Sequence, residues 1–465
     1  MEGILSLKKA AAAVSGELVN CSDENAVITA VSIDTRTISE GAVFVALKGE
    51  NSDGHRFISA AAEKGALCCI AERTAELPEG VPLILVDDTS QALLDLAGAY
   101  RNELKIPVVA ITGSVGKTST RGMIASVLSQ KYKTLATDGN FNNEIGVPLT
   151  LFRLTKEHEI AVIEMGMNHF GELSRITAAA KPDTAVITNV GEAHIENLGS
   201  REGILKAKLE VLEGLSEDGT VVLNGDNDML RTVSGTLDFE TIYFGIEEKC
   251  CNVTAKNVKT YAEGSEFTFS IKGKEYTALI SVPGKHHLYN ALAAIVVGMK
   301  YNLTAYEIIE GIREFIPVGM RQAAVELDKY TLIKDCYNAN PTSMKAGLEV
   351  LSLKETNGRR VACLGDMKEL GTISEKAHLD TGKIVPKYKV DCLITVGESA
   401  KLIAGGAVLA GMDSKCVYSF DNNEQLKEKL YDILQEGDVI LLKASRSMKL
   451  EEIAEYMEQN TEKGE

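Results

Sequence analysis

No stretch of 18 or more apolar residues occurs in the 465-residue chain, so no segment reads as a membrane-spanning helix. The first twenty residues, MEGILSLKKAAAAVSGELVN, carry a short apolar stretch with no basic region ahead of it. They are expected to form a small amphipathic element rather than a leader. Positive charge is scarce: 49 Lys and Arg stand against 66 Asp and Glu, a net charge of −17. A polyanionic nucleic acid would be repelled by such a surface, whereas a nucleotide held by local donors would not. The nine cysteines are odd in number, include the adjacent pairs Cys68-Cys69 and Cys250-Cys251, and never fall in a C-x-x-C spacing. That excludes a disulfide framework and a zinc ribbon and fits a reducing compartment, so the expected location is the cytoplasm. Low-complexity tracts and internal repeats are absent as well.

What is present is ordinary globular composition, 45% hydrophobic and 25% charged. At about 150 residues per domain the length implies roughly three domains. Residues 29–110 alternate strand-like runs (AVFVAL, PLILVDD) with helical ones (FISAAAEKGA, SQALLDLAGAYRNEL), the mark of an α/β unit. A second core begins where KIPVVAITG leads through glycines into the helical TSTRGMIASVLSQKY. It continues through IAVIEMG, TAVITNV and TVVLNGDND, strands whose ends turn small or polar, where open parallel sheets bind ligands. Residues 250–282 switch to alternating runs and read as a small antiparallel appendage, followed by the helix HLYNALAAIVVGMKY. Pro317-Val318-Gly319 reads as a hinge into a third α/β unit with strands TLIKD, RVACLGD, VDCLITVG and DVILLK. The expected domains are 1–105, 106–315 and 316–465.

The most informative segment is ITGSVGKTST. A glycine-rich turn between a strand and a helix aims backbone N–H groups and the helix N-terminus at one point, a geometry that binds phosphate. Gly113, Ser114, Val115, Gly116, Lys117, Thr118 and Ser119 are therefore candidate nucleotide contacts, with Lys117 a charge for the terminal phosphates and Thr118 a hydroxyl for Mg²⁺. The spacing is shorter than the general G-x-x-x-x-G-K-[ST], because position 111 is Ile and the first glycine is Gly113.

Glu164 ends the apolar strand IAVIEMG, where a carboxylate faces the crevice beyond a sheet and can supply Mg²⁺ with a hard oxygen. His194 follows another strand in a Gly-flanked loop, a position where a lone histidine is more often structural than functional. In SREGILKAKLEVLEGL, Ile204, Leu205, Val211, Leu212 and Leu215 share one helical face and Lys208 falls near its middle. A lysine so placed either buries its stem and snorkels its ammonium outward, or is desolvated into a reactive neutral amine.

The segments G113-S-V-G-K-T118, N140-F-N-N-E-I-G-V-P148, E164-M-G-M-N168, N189-V-G-E-A-H194, A207-K-L-E210 and H286-H-L-Y-N-A-L-A-A294 resemble, in order and spacing, the Mur ligase family, and the resemblance covers essentially the whole chain. D335-C-Y-N-A-N-P-T-S-M344, L364-G-D-M-K-E-L-G371 and K443-A-S-R-S-M448 are similar to the branch that joins D-alanyl-D-alanine to UDP-N-acetylmuramoyl-tripeptide. D34-T-R36, F44-V-A-L-K-G-E50 and D53-G-H-R-F57 resemble its UDP-sugar-binding domain. The resemblance implies an α/β protein of three domains: an N-terminal UDP-binding domain, a central P-loop-type, mostly parallel sheet with helices on both faces, and a C-terminal Rossmann-like domain. It implies an ATP-dependent, amide-forming ligase of peptidoglycan precursor synthesis that uses two Mg²⁺ ions and acts as a monomer. Glu164, His194 and a carbamylated Lys208 are implied to hold metal, with Lys117, His194 and Lys208 catalytic. Asn290, Arg321 and Asp335 are implied to contact the nucleotide, and Asp34, Thr35, Arg36, Asn142, Asn143, Asn338 and Asn340 the other substrates. His287 departs from the family's usual Asn, and Ala444 from a common Gly. The rival readings are another ligase of the family, folylpolyglutamate synthetase, or a catalytically silent scaffold. The first lacks its D-N-P-R motif here, and the second has no UDP-binding domain. Retention of Lys117, Thr118, Glu164, His194 and Lys208 together speaks against the third.

Overall fold

The computed structural model describes residues 3–49, 52–248, 251–261, 263–317 and 323–461. The chain forms three α/β units and a small antiparallel sheet. In the N-terminal unit the strands lie in the order Glu17–Val19, Leu83–Val86, Cys68–Glu72, Ala42–Val45, Ala30–Ser32. All pair in parallel except the first, an antiparallel edge. The central sheet is parallel throughout, in the order Val253–Thr254, Glu240–Gly245, Thr220–Asn224, Thr184–Ile187, Val108–Thr112, Ile160–Glu164, Thr134–Ala136. Lys256–Tyr261, Gly264–Ile271 and Lys274–Ile280 form the expected antiparallel appendage. The C-terminal sheet runs Ala323–Glu326, Thr331–Lys334, Val439–Lys443, Arg360–Gly365, Cys392–Val396, Val417–Phe420, again with one antiparallel edge strand, the first.

The central strands are apolar on both faces because helices cover both. Val108, Ala110, Ala161 and Ile163 pack to one side, and Val109, Ile111 and Val162 to the other with Met123, Ile124 and Val127 of the helix Lys117–Leu128. The period of two along each strand divides them. The first of these cores runs on without a break into the N-terminal unit through the helix Thr89–Leu104. That helix also donates the Tyr100 hydroxyl to the Leu154 carbonyl at 2.6 Å. At an estimated 25 cal/mol per Å² of apolar surface such a seam resists shearing, and it joins the first two units firmly.

Strand Val108–Thr112 lies between two strands that follow it in the chain, Ile160–Glu164 on one side and Thr184–Ile187 on the other. The helix that follows it, Lys117–Leu128, packs on one face of the sheet and the helix that follows Ile160–Glu164, Glu172–Ala180, on the other, so a crevice opens beyond their carboxyl ends. The glycine turn, Glu164 and the loop bearing His194 all follow these three adjacent strands. The helix expected over residues 200–215 is an α-helix only for Arg201–Leu209 and then tightens into a 3-10 turn over Glu210–Gly214. Both oxygens of Glu210 accept the Gly171 N–H at 2.9 Å, which draws that last turn onto the neighbouring helix start.

Candidate active site

The glycine turn is fixed from behind. A Cβ at Gly113 would lie 1.9 Å from the Thr188 hydroxyl, and Gly113 has φ +152, so only glycine fits. The Asn189 side chain clamps Val115, accepting its N–H at 3.0 Å and donating to its carbonyl at 2.8 Å. Ser114 Oγ accepts the Gly191 N–H at 2.9 Å. The loop is thus pre-shaped before any ligand arrives. Lys117 Nζ folds back to donate to the Gly113 carbonyl at 2.8 Å. Ser119 lines the same cavity as Ser114 through Lys117.

Below the turn, Glu164 is wholly buried. Its Oε1 accepts the Thr118 hydroxyl at 3.1 Å and the Asn142 amide at 2.8 Å, while Arg121 reaches Oε2 at 3.3 Å. Thr118 and Glu164 therefore meet as expected, and they present two hard oxygens side by side. Arg121 was not singled out from the sequence. Its signal was a charge one helical turn after Lys117, on a helix whose buried side it shares. Among the described residues no group of three or more His, Cys, Asp or Glu gathers into a ready metal cage. The Thr118–Glu164 pair suits Mg²⁺, which takes one or two protein oxygens and completes its shell with water and phosphate.

Lys208 is 2% exposed and has neither a hydrogen bond nor an ion pair among the described residues. Burial, and then the positive Lys117 nearby, push its pKa well below the ordinary lysine value. Its ammonium does not snorkel out; the neutral amine is the form the site favours.

The C-terminal unit closes the crevice from the other side. The buried Lys443 donates to Asp335 at 2.7 Å and to the Asn338 carbonyl at 3.3 Å. Asp335, Asn338 and Asn340 line a cavity together with Ser114 through Lys117. A second cleft, of about 500 Å³, is shared by Lys117, Asn142, Asn143, Glu164, His194 and Asn338. Asn340 and Asn143 also serve as helix-start residues, their side-chain oxygens accepting the N–H groups of Ser343 and Gly146 at 2.9 and 2.8 Å. His194 Nδ1 lies 2.7 Å from the Glu369 carboxylate, near enough for an ion pair though not aligned as a hydrogen bond. The imidazole beside it holds the Glu369 carboxyl below its usual value despite partial burial.

On the far side of the turn, Asn290 is buried, accepting the Thr120 hydroxyl at 2.8 Å and donating to His287 Nδ1 at 3.3 Å. His287 is itself buried against Phe315. Asn290 faces a cleft of about 230 Å³ shared with Asp226 and Tyr289, two residues that drew no attention in the sequence. Burial raises the Asp226 pKa, but the N–H groups of Ile246, Glu248 and Glu247 outweigh it and hold the carboxyl below its ordinary value.

Asp34, Thr35 and Arg36 stand apart on the N-terminal unit and line none of these clefts. Asp34 caps the turn Thr35–Thr37 and grips the Arg36 guanidinium at 2.6 Å, which pulls its pKa to about 2. Arg321, and Val318 and Gly319 of the expected hinge, lie outside the described residues.

Comparison with known proteins agrees with this architecture. The family models "Mur ligase family, catalytic domain", "Mur ligase middle domain" and "Mur ligase, glutamate ligase domain" match residues 27–101, 111–298 and 320–446. The UDP-N-acetylmuramoyl-tripeptide–D-alanyl-D-alanine ligase of Bacillus subtilis (strain 168) is 40% identical over 96% of this chain and 97% of its own. The enzyme of the same name from Escherichia coli (strain K12) is 36% identical over 93% and 94%. A crystal structure of MurF from Acinetobacter baumannii superposes with a TM-score of 0.89 at 28% identity, covering 97% of this chain and 98% of that one. MurF ligase from Thermotoga maritima, in complex with ADP, superposes at 0.82 with 30% identity, covering 93% and 98%. With three family models in succession along the chain and near-full-length relatives at this identity, the protein belongs to the Mur ligase family.

Proposed function

We propose that the chain is the ATP-dependent ligase that joins D-alanyl-D-alanine to the terminal carboxylate of UDP-N-acetylmuramoyl-tripeptide, a step of peptidoglycan precursor synthesis. The observation that carries the reading is a clamped phosphate turn beside a buried Thr118–Glu164 pair, with the buried amine of Lys208 close enough to feel the charge of Lys117. The division of labour follows the units: residues 1–105 for the UDP-sugar, 106–315 for ATP and 316–465 for the dipeptide. The chain works as a monomer. No helix among the described residues is long and apolar enough to cross a membrane, and no disulfide joins any two described cysteines, in keeping with a cytoplasmic enzyme.

A free carboxylate is a poor electrophile, so it must first be activated. One of its oxygens attacks the γ-phosphorus of ATP, the bond to the β-γ bridging oxygen breaks, and ADP leaves an acyl phosphate behind. The dipeptide amine then attacks the acyl carbon, gives a tetrahedral intermediate and expels phosphate as the nitrogen loses its proton. Negative charge concentrates in both steps, so the chain's contribution is positioning and electrostatic stabilisation. The turn N–H groups and Lys117 hold the terminal phosphates. Asn290 is proposed to lie against the base, and Asp335 against the ribose. Thr118, Glu164, His194 and a carbamylated Lys208 would hold two Mg²⁺ ions, which supply charge neutralisation at the phosphates. Carbamylation needs a neutral amine, and burial beside a second cation shifts Lys208 toward that form. Asn142, Asn143, Asn338 and Asn340 are proposed to contact the peptide substrates, and closure of the crevice keeps water from the acyl phosphate.

The test is ATP-dependent phosphate release with UDP-N-acetylmuramoyl-tripeptide, with and without D-alanyl-D-alanine. Sustained turnover that needs both substrates is expected. Turnover indifferent to either one would overturn the assignment.

A further inference from the structure

We infer that Glu369 is a positioning residue through which the C-terminal unit orients His194, so that the imidazole is set for metal only when the central and C-terminal units meet. The inference rests on the reading of His194 as a metal ligand. Glu369 stands near the end of a short loop that follows strand Arg360–Gly365, and three other segments brace that loop. The Met367 N–H donates to Nε2 of the fully buried His378 at 2.9 Å, and the other ring nitrogen of His378 lies 2.7 Å from the Ser374 carbonyl. The Lys368 N–H donates to Ser445 Oγ at 2.9 Å, and the Asp366 carboxylate accepts the Ala400 N–H at 2.8 Å. A loop held at three points presents its side chain in one direction.

The residue it presents is under local strain, and so is the one it meets. Glu369 has φ +63 and His194 has φ +64, and neither is glycine. Such a conformation is unfavourable for a residue with a Cβ and persists where the surroundings impose it. The two strained residues face each other, with the carboxylate 2.7 Å from Nδ1 and the Glu196 N–H directed at the Glu369 carbonyl at 3.4 Å. A metal-binding histidine commonly gives one ring nitrogen to the ion and turns the other toward a carboxylate, which selects the tautomer and fixes the ring plane. With Nδ1 2.7 Å from Glu369, a small turn of the ring would complete that hydrogen bond and leave Nε2 for an ion in the cleft that His194 shares with Glu164. Because carboxylate and imidazole belong to different units, this orientation exists only in the closed arrangement. Metal binding and closure are then coupled, and each favours the other by the same factor.

The experiment measures Mn²⁺ binding by electron paramagnetic resonance to the full chain in the presence of ADP. The proteins are the unaltered chain, Glu369→Gln, Glu369→Gly, His194→Ala and the double variant His194→Ala/Glu369→Gln. Glycine accepts the left-handed backbone freely, so a loss in that variant cannot come from strain, and melting curves establish that each protein is folded. Both Glu369 variants should bind Mn²⁺ about tenfold or more weakly while binding ADP without metal as before. In the His194→Ala background Glu369→Gln should add nothing. Unchanged Mn²⁺ binding in both Glu369 variants, with binding weakened in His194→Ala, would overturn the inference alone. So would an equal loss from Glu369→Gln whether or not His194 is present. Unchanged Mn²⁺ binding in His194→Ala would instead remove the ligand reading on which the inference stands.

Discussion

Replacing Lys208 by methionine isolates what burial does to that amine. Methionine keeps an unbranched stem of similar length and adapts to an irregular slot, so packing is largely conserved while the titrating nitrogen is lost. In the folded chain Lys208 is buried, has no counter-charge among the described residues and feels Lys117. Its pKa is depressed, so the folded state sheds a proton that the unfolded state keeps until about pH 10.4. Stability conferred with a neutral Lys208 therefore rises with pH through that window, and the burden is greatest at its acidic end. The methionine variant carries no such burden. It should be the more stable protein near neutral pH, and its advantage should shrink as the pH rises toward the ordinary lysine value, by at most about 1.4 kcal/mol for each pH unit. Urea unfolding of both proteins in CO₂-free buffer, at about pH 7, 8 and 9, should thus show the gap narrowing as the pH rises. A gap that does not change with pH, or a variant less stable than the parent at neutral pH, would refute the claim that the folded site holds a neutral amine. Admitting bicarbonate should stabilise the parent and leave the variant unmoved, because only the parent can form a carbamate.

Lys117→Ala should lose ligase turnover by two or more orders of magnitude, while its melting temperature stays within a few degrees of the parent's; near-normal turnover would remove the phosphate-turn assignment. Lys208→Ala should be inactive and partly restored by a short carboxylic acid that replaces the missing carbamate oxygens, whereas full activity without rescue would exclude the carbamate. Lys443→Met strips the buried Asp335 of its lysine and should cost about 3–5 kcal/mol of unfolding free energy. Adding Asp335→Asn to it should recover most of that loss; equal stability of the single and double variants would mean the pair is not coupled.

Much of this molecule could be read along the chain. The apolar runs that became Val108–Thr112, Ile160–Glu164 and Thr184–Ile187 are buried on both faces, so their hydrophobicity is continuous and visible without a partner. The glycine turn was legible because strand, turn and helix are consecutive. Lys208 was legible because helical periodicity places it among Ile204, Leu205 and Val211 whatever that helix packs against. The edge strands Glu17–Val19 and Ala323–Glu326 were not, being short and paired through partners far along the chain. The end of the α-helix at Leu209 was hidden for a related reason, since the contact of Glu210 with Gly171 that tightens the next turn comes from another element.

Local pattern by itself thus indicated the class of fold and the glycine turn and put Lys208 on an apolar face, since periodicity and turn chemistry act between residues a few positions apart, while the burial of its amine came from the tertiary structure. Only the tertiary structure decided which side chains meet: Arg121 on Glu164, Asn189 beneath Val115, Lys443 on Asp335 and Glu369 against His194. Each joins elements separated by tens of residues or more, and chain closure, strand order and the meeting of two sheet edges bring them together. No property of either residue's own neighbourhood in the chain encodes its partner.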